Sequence, residues 1–287
     1  MAQLSVDTSA IKANLKAHRY VYLLIAALLL FNLPSLNQLV AGWAADGNYS
    51  HGFLIVPISI WLFWRQRQEL QFPARTSPGG LILFIVGCFG LILGMAASEL
   101  FTTRVSLVLI LSGIGLHYLG WQNFRKVWFP FFFLLFMIPI PGTIYHSLTL
   151  PLQLFATKVS VAMLQVIGVP CYAKGNIIQL PDYQLEVLEA CSGLRSLVTL
   201  MALGALYGNL SMPGKVRPTI LFLATIPIAI VTNIFRIFVT AIVAYAISTE
   251  IAESFLHELS GLLVFGVALI LTLILGALLK WRRKPSS

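Results

Sequence analysis

The chain has 287 residues, of which 58% are hydrophobic and only 10% charged, with a formal net charge of +9. A soluble domain carries nearer a quarter charged residues, so this composition, with a mean hydropathy of +0.87, excludes a soluble enzyme and predicts a polytopic membrane protein. In such a chain an excess of Lys and Arg marks cytoplasmic loops, and no nucleic-acid partner is expected.

A spanning helix needs roughly 20 apolar residues. The expectation is therefore an all-α polytopic fold of about eight transmembrane helices, forming one membrane domain over residues 1–287. Residues 1–19 are a polar tail with Lys12, Lys16 and Arg19, hence cytoplasmic, and carry no cleavable signal pattern. The first span is expected from about Tyr20 to Val40, followed by a polar turn from Asp46 to Gly52 on the far side. A short second span, about Phe53 to Trp64, returns to Arg65 and Arg67, and Pro73, Pro78 and Gly79-Gly80 mark a loop. The third span, about Leu81 to Ala97, turns tightly at Ser98-Glu99 into the fourth, about Phe101 to Leu119. The fifth, about Val127 to Ile140, is broken by Pro139 and Pro141, because proline removes a backbone donor.

Residues 143–169 are apolar enough to span, yet contain Gln153, Lys158 and Gln165. A crossing here would put Cys191 on the cytoplasmic side. The stretch is read instead as a kinked continuation of the fifth span or a helix along the outer interface. Alternation on either side of Pro181-Asp182, within residues 174–189, predicts a small extracytoplasmic β-hairpin. The sixth, seventh and eighth spans are expected at about Ser192 to Leu210, Pro218 to Ala246 and Leu256 to Leu279. The bundle thus covers 20–280, and 281–287 form a second cytoplasmic tail. Charge supports this order: all 19 Lys and Arg except Arg104, Lys158, Lys174, Arg195 and Arg236 fall inside, and all ten acids except Asp7 and Glu69 fall outside.

The chemistry-bearing stretch is Glu189-Ala190-Cys191-Ser192-Gly193-Leu194-Arg195-Ser196, where the hairpin gives way to the sixth span. The first turn of a helix has unpaired N–H groups and partial positive charge. Both favour thiolate over thiol, and Arg195 adds a fixed charge four residues on. Arg236 lies inside the seventh span, in Asn233-Ile234-Phe235-Arg236, about 27 Å along the helix from Pro218 and so at the outer level. A charge within the membrane is costly and survives when paired, hydrated or functional; Asn233, one turn earlier, is placed to hold it. His257 opens the eighth span, in Leu256-His257-Glu258-Leu259-Ser260-Gly261, at the same outer level. Cysteine as nucleophile, histidine as proton carrier and arginine as oxyanion partner make an acyl-transfer set. Ser192, Arg195, Asn233 and His51 are candidates for substrate contact or for support of these groups. Cys88 lies within an apolar run, Cys171 and Cys191 share the outer side, and the three cysteines have no metal-ligand spacing. No metal or cofactor is expected.

These residues carry a resemblance to a known family. The sequence resembles the exosortases, relatives of the archaeosortases, over nearly the whole chain. Ala190-Cys191-Ser192-Gly193-Leu194-Arg195-Ser196 is similar to the family's nucleophile motif, Asn233-Ile234-Phe235-Arg236 to its arginine motif, and His257 stands at its histidine position. Tyr49-Ser50-His51-Gly52-Phe53 and Ile138-Pro139-Ile140-Pro141 resemble its early outer-loop and mid-chain proline motifs. The resemblance implies a multi-pass cysteine transpeptidase of the bacterial inner membrane, with its active site on the periplasmic side. Its partners would be the C-terminal tails of PEP-CTERM-type substrate proteins and an acceptor nucleophile, in systems that accompany exopolysaccharide production. Some members carry a further soluble C-terminal domain; this sequence runs to Ser287 and leaves the subtype open. Two other classes compete: a transporter or flippase for lipid-linked sugars, which would use Arg236 and not Cys191, and a non-catalytic scaffold. A transporter of the inverted-repeat kind would show internal repeats, and none is found.

Overall fold

A computed structural model of the chain describes residues 19–47, 49–71, 75–181, 183–187, 194–247 and 255–281, with backbone alone at Arg19, Tyr22, Arg195 and 255–259. The chain falls into two compact units, Met1–Pro139 and Ile140–Ser287.

The first unit begins with α1 (Arg19–Phe31) and α2 (Leu33–Ala45), which meet at an angle of 65°. A single span was expected here, and the bent pair is long and apolar enough to be one. Pro34 starts a new first turn, and buried Asn32 donates from Nδ2 to the Leu28 carbonyl (2.9 Å), ending the preceding helix. Next comes α3 (Gly52–Gln66), then α4 (Pro78–Ala96) and α5 (Leu100–Phe133), with a 3₁₀ turn over Leu134–Met137. The α4–α5 pair is closed by a three-residue turn with Ser98 at φ 53°. Glu99 caps α5, its carboxylate accepting from the amides of Phe101 (2.9 Å) and Thr102 (2.6 Å). Gly80, Gly87 and Gly94 recur every seven residues along α4. A Cβ added at Gly87 would lie 2.9 Å from the Ile110 amide, one at Gly94 would lie 2.7 Å from the Thr103 amide, and one at Gly80 would collide with the His117 backbone. The absence of side chains lets the two backbones pack directly.

Within α5 the backbone leaves helical geometry at Gly120 (φ 69°, ψ 164°). A straight helix would hold residues 115 and 131 about 24 Å apart, yet an added Cβ at Gly115 would lie 2.8 Å from the Phe131 ring. The chain therefore folds back at Gly120, and the expected fourth and fifth apolar runs are the two arms of this element.

The second unit contains α6 (Gly142–Val166), strands β1 (Tyr172–Lys174), β2 (Ile177–Gln179) and β3 (Gln184–Glu186), and helices α7 (Leu194–Ser211), α8 (Val216–Ala246) and α9 (Phe255–Trp281). The expected hairpin is a three-stranded antiparallel sheet in the order β1-β2-β3. The β2–β3 hairpin is present as foreseen, with the Leu180 amide donating to the Tyr183 carbonyl (2.8 Å). The added strand pairs Lys174 with Ile177 across Gly175-Asn176, a two-residue turn with Gly175 at φ 64°. The fully buried Ile178 and Val187 carry the sheet onto Ala156, Val161 and Leu164 of α6 and Ile234, Ile237 and Ala241 of α8. After the extended residues at Ile138 and Pro141, α6 is a separate helix rather than a continuation of the preceding run.

Five helices among the described residues are long and apolar enough to cross a membrane, and the bent α1–α2 pair brings the number to six. The eight expected spans are not reproduced. Two of the expected spans are short helices, α3 with 15 residues and α7 with 18, and the number takes the two arms of α5, the expected fourth and fifth spans, as one. The membrane reading itself stands on exposed apolar surface. The apolar stretch of α9, at mean hydropathy 2.9, has only 17% of its residues buried, and that of α4, at 2.4, only 22%. Water would not tolerate such faces, whereas lipid is their natural solvent.

Candidate active site

Helix α8 carries the arginine. Asn233 (4% exposed), Ile234 and Ile237 are buried against the rest of the second unit, while Phe235 points outward at 54% exposure. Arg236 lies between these faces and is half-buried. Its Nε donates to Ser260 Oγ on α9 (3.2 Å). The guanidinium lies over Gly261, where an added Cβ would sit 3.8 Å from Cζ and from one terminal nitrogen. Ser260 fixes the side of the guanidinium that bears Nε. Position 257 precedes Ser260 by three residues and Gly261 by four, one helical turn along the same side of α9. The side chain of His257 is not described.

The register of the three C-terminal helices brings a further element to this level. Helix α7 runs antiparallel to α8: Gly208 lies against Pro218, Gly204 against Thr225, and Leu200 shares a cluster with Ala229. Carried six residues further, this register sets Leu194 opposite Phe235, beside Arg236. Helix α9 runs parallel to α7, with Gly276 against Tyr207, Thr272 near Gly204 and Ala268 in the cluster with Leu200. Leu194 is thus level with Leu262, close to Ser260. The start of α7, the arginine of α8 and the first turns of α9 share one level, about 10 Å from the Leu200–Ala229–Ala268 layer. The sheet approaches the same place, since Val187 packs in one cluster with Ile237 and Ala241, within two turns of Arg236.

Cys191 and Ser192 lie outside the described residues, between Val187 and Leu194. Arg195 sits in the first turn of α7, with its side chain not described. Asn233 is buried on the Arg236 helix, one turn before it. His51 belongs to the first unit. It stands at the start of α3, where Nε2 donates to the Phe136 carbonyl (3.1 Å), and the Trp43 indole donates to the next carbonyl, Met137 (2.9 Å). The Tyr49–Phe53 motif thus braces the end of the 3₁₀ turn just before the Pro139–Pro141 break. Cys171, between α6 and β1, is a free thiol packed on the sheet cluster with Sγ 3.9 Å from the Val161 carbonyl. Burial pushes that thiol above its ordinary pKa, so it remains protonated. Sequence reasoning assigned no role to Ser260 or Gly261. Their spacing of three and four from His257 was the available signal.

The transmembrane exosortase family (Exosortase_EpsH) matches residues 43–274, most of the chain. The chain belongs to this family. The match includes positions 191, 236 and 257 as well as the Tyr49–Phe53 stretch. No curated protein and no solved structure matches the chain. Membership makes this exosortase a multi-pass membrane protein of a protein-sorting transpeptidase family.

Proposed function

We propose that this exosortase is a cysteine transpeptidase that cleaves the C-terminal PEP-type sorting signal of exported proteins at the periplasmic face of the bacterial inner membrane. The thiolate of Cys191 attacks the scissile carbonyl carbon and pushes its π electrons onto oxygen. Arg236 stabilises the resulting oxyanion. His257, as imidazolium, gives its proton to the leaving amine as the C–N bond breaks, leaving a Cys191 thioester. An acceptor nucleophile, or water, gives up a proton to the neutral imidazole, attacks the thioester and releases the thiolate. The link to exopolysaccharide production belongs to the same reading.

The observation that carries it is the shared level of Leu194, Arg236 and Ser260. Sequence ties Cys191 to Leu194 and His257 to Ser260 by three residues each. A guanidinium held at Nε keeps its terminal nitrogens oriented for a developing charge, which is what preorganised electrostatic catalysis requires. The periplasmic placement requires α6 to lie along that face. Helix α6 is itself one of the helices long and apolar enough to cross; its core contact, Ala156–Leu164 against Ile234–Ala244, is with the half of α8 remote from Lys215 and Arg217.

The test is co-expression with a PEP-tailed substrate and mass spectrometry of the new C-terminus. Cys191→Ala and Cys191→Ser are expected to abolish processing with insertion unchanged, and Cys171→Ser to leave it intact. Full processing by either Cys191 variant excludes the thiol mechanism.

A further inference from the structure

A second polar site lies in the first unit, remote in sequence from the residues above. The loop before α4 and the Gly120 break of α5 enclose a cavity of about 590 Å³, within the size range of small-ligand sites. Its frame is rigid. Buried Asn123 accepts from the Gln71 amide (2.9 Å) and donates to the Gln71 carbonyl (2.7 Å). The Ser77 amide donates to the His117 carbonyl (3.2 Å), and the His117 ring donates from Nδ1 to the Ser77 carbonyl (3.1 Å). The carbonyl of Arg75 sits directly on Gly120, where no Cβ would fit.

Within that frame, Arg75, Thr76, Ser77 and Gln122 line the cavity. Among the described residues none of these four side chains has a hydrogen-bond or ion-pair partner, and Ser77 does not cap α4 although it precedes it. One guanidinium, two hydroxyls and an amide therefore converge with their hydrogen-bonding capacity unused. The surroundings are cationic: Arg65, Arg67, Arg125 and Lys126 flank the same two chain segments, against Glu69 alone. This is the face that the distribution of Lys and Arg assigns to the cytoplasm. Trp121, 59% exposed, forms part of the wall, and exposed Trp61 and Trp64 lie beneath Arg65 and Arg67. Tryptophans at such a level mark the headgroup region. From Leu81, three residues past the cavity's Pro78, α4 presents an exposed apolar stripe through Ile82, Ile85 and Phe89.

We propose that this cavity binds the phosphate headgroup of an anionic phospholipid from the cytoplasmic leaflet. Arg75 pairs with the phosphate, Ser77 and Gln122 bond its oxygens or the headgroup hydroxyls, and the acyl chains lie along the α4 stripe. A cationic pocket at the cytoplasmic headgroup level has the charge and the depth for such a lipid. The stripe favours a lipid over a free anion.

The test uses the purified full-length protein in neutral detergent, titrated with short-chain phosphatidylglycerol and read by native mass spectrometry. One bound lipid is expected, with Kd raised about tenfold or more by Arg75→Gln, because a charge-assisted pair is lost. The Ser77→Ala/Gln122→Ala double variant should weaken binding in the same direction, and it carries the test if Arg75→Gln fails to fold. Phosphatidylcholine of equal chain length should bind about tenfold more weakly, and Arg217→Gln, outside the cavity lining, should leave affinity unchanged. Wild-type affinity in Arg75→Gln, or equal binding of phosphatidylcholine, overturns the proposal. So does inorganic phosphate that binds as tightly as the lipid, since the site would then be one for a free anion.

Discussion

Two helical hairpins in this protein each hold an arginine within apolar helices, and they use it differently. In the α4–α5 hairpin, Arg104 is 7% exposed and its Nε has no hydrogen-bond partner among the described residues. It lies just over a turn past Glu99, whose carboxylate it helps hold ionised. Burial works to raise the Glu99 pKa, but the amides of Phe101 and Thr102, the Thr102 side chain and the charge of Arg104 outweigh it, leaving the group below the ordinary carboxylate range. In the α8–α9 hairpin, Arg236 is half-buried, tethered at Nε by Ser260 and laid over a glycine. The first arginine supports a tight turn and a glycine-lined contact between backbones. The second is oriented at a level shared by the start of α7, the first turns of α9 and the sheet. An intramembrane arginine is thus not diagnostic by residue type; what holds it, and what lies beside it, decides its use.

The largest effect that would break this contrast is on turnover. Arg236→Ala should lower processing about 10²–10³-fold, the usual loss on removing an oxyanion donor, with the protein inserted in normal amount. Arg104→Ala should do the reverse, lowering the amount of folded protein while each surviving molecule processes at the wild-type rate. Pulse–chase processing normalised to membrane-inserted protein separates the two, and equal per-molecule losses would erase the distinction.

The glycines sharpen it next. Gly87→Leu should destabilise the first unit by about 2 kcal/mol or more, because the new side chain must displace Ile110 from a closed contact. Gly261→Ala meets only ordinary van der Waals contact at 3.8 Å, so its thermal unfolding in mild detergent should be unchanged or slightly raised. A smaller effect is expected at the tether. Ser260→Ala should reduce processing about tenfold through loss of one hydrogen bond to a charged group, and Ser260→Thr, which keeps the hydroxyl, should restore most of it. If alanine and threonine behave alike, orientation at Nε is not what Ser260 supplies.

The smallest effect concerns pH. The Glu99 cap, with its folded pKa depressed, contributes stability that is fully present above the ordinary carboxylate range and is lost as pH falls through the folded value. The contribution is about 1 kcal/mol, limited by the partial hydration of the group. Unfolding of Glu99→Gln followed from pH 7 to pH 3 should show a smaller acid-induced loss than wild type.

The sequence by itself determined the solvent and the family, and it supplied the residues of the proposed chemistry. Runs of apolar residues require lipid because no soluble core could bury them, and the Cys191, Arg236 and His257 motifs are local strings that need no fold to be read. It also carried the Ser98-Glu99 turn and the Pro181 hairpin, because turn chemistry is local. It missed β1, although Gly175-Asn176 is a hairpin signal, because strands of three residues give too little alternation to register. Its eight spans are not confirmed by the five or six long apolar helices among the described residues, because hydropathy measures how apolar a run is, not how its helices bend and pair. Gly120 acts through a φ and ψ that packing against the distant Arg75 carbonyl enforces. The Arg236–Ser260 bond, the α7 register that sets Leu194 beside that arginine and the cavity at Gly120 all join residues far apart along the chain. Such pairings are fixed by how side-chain volumes and small-residue contacts interlock, so only the tertiary structure decided them.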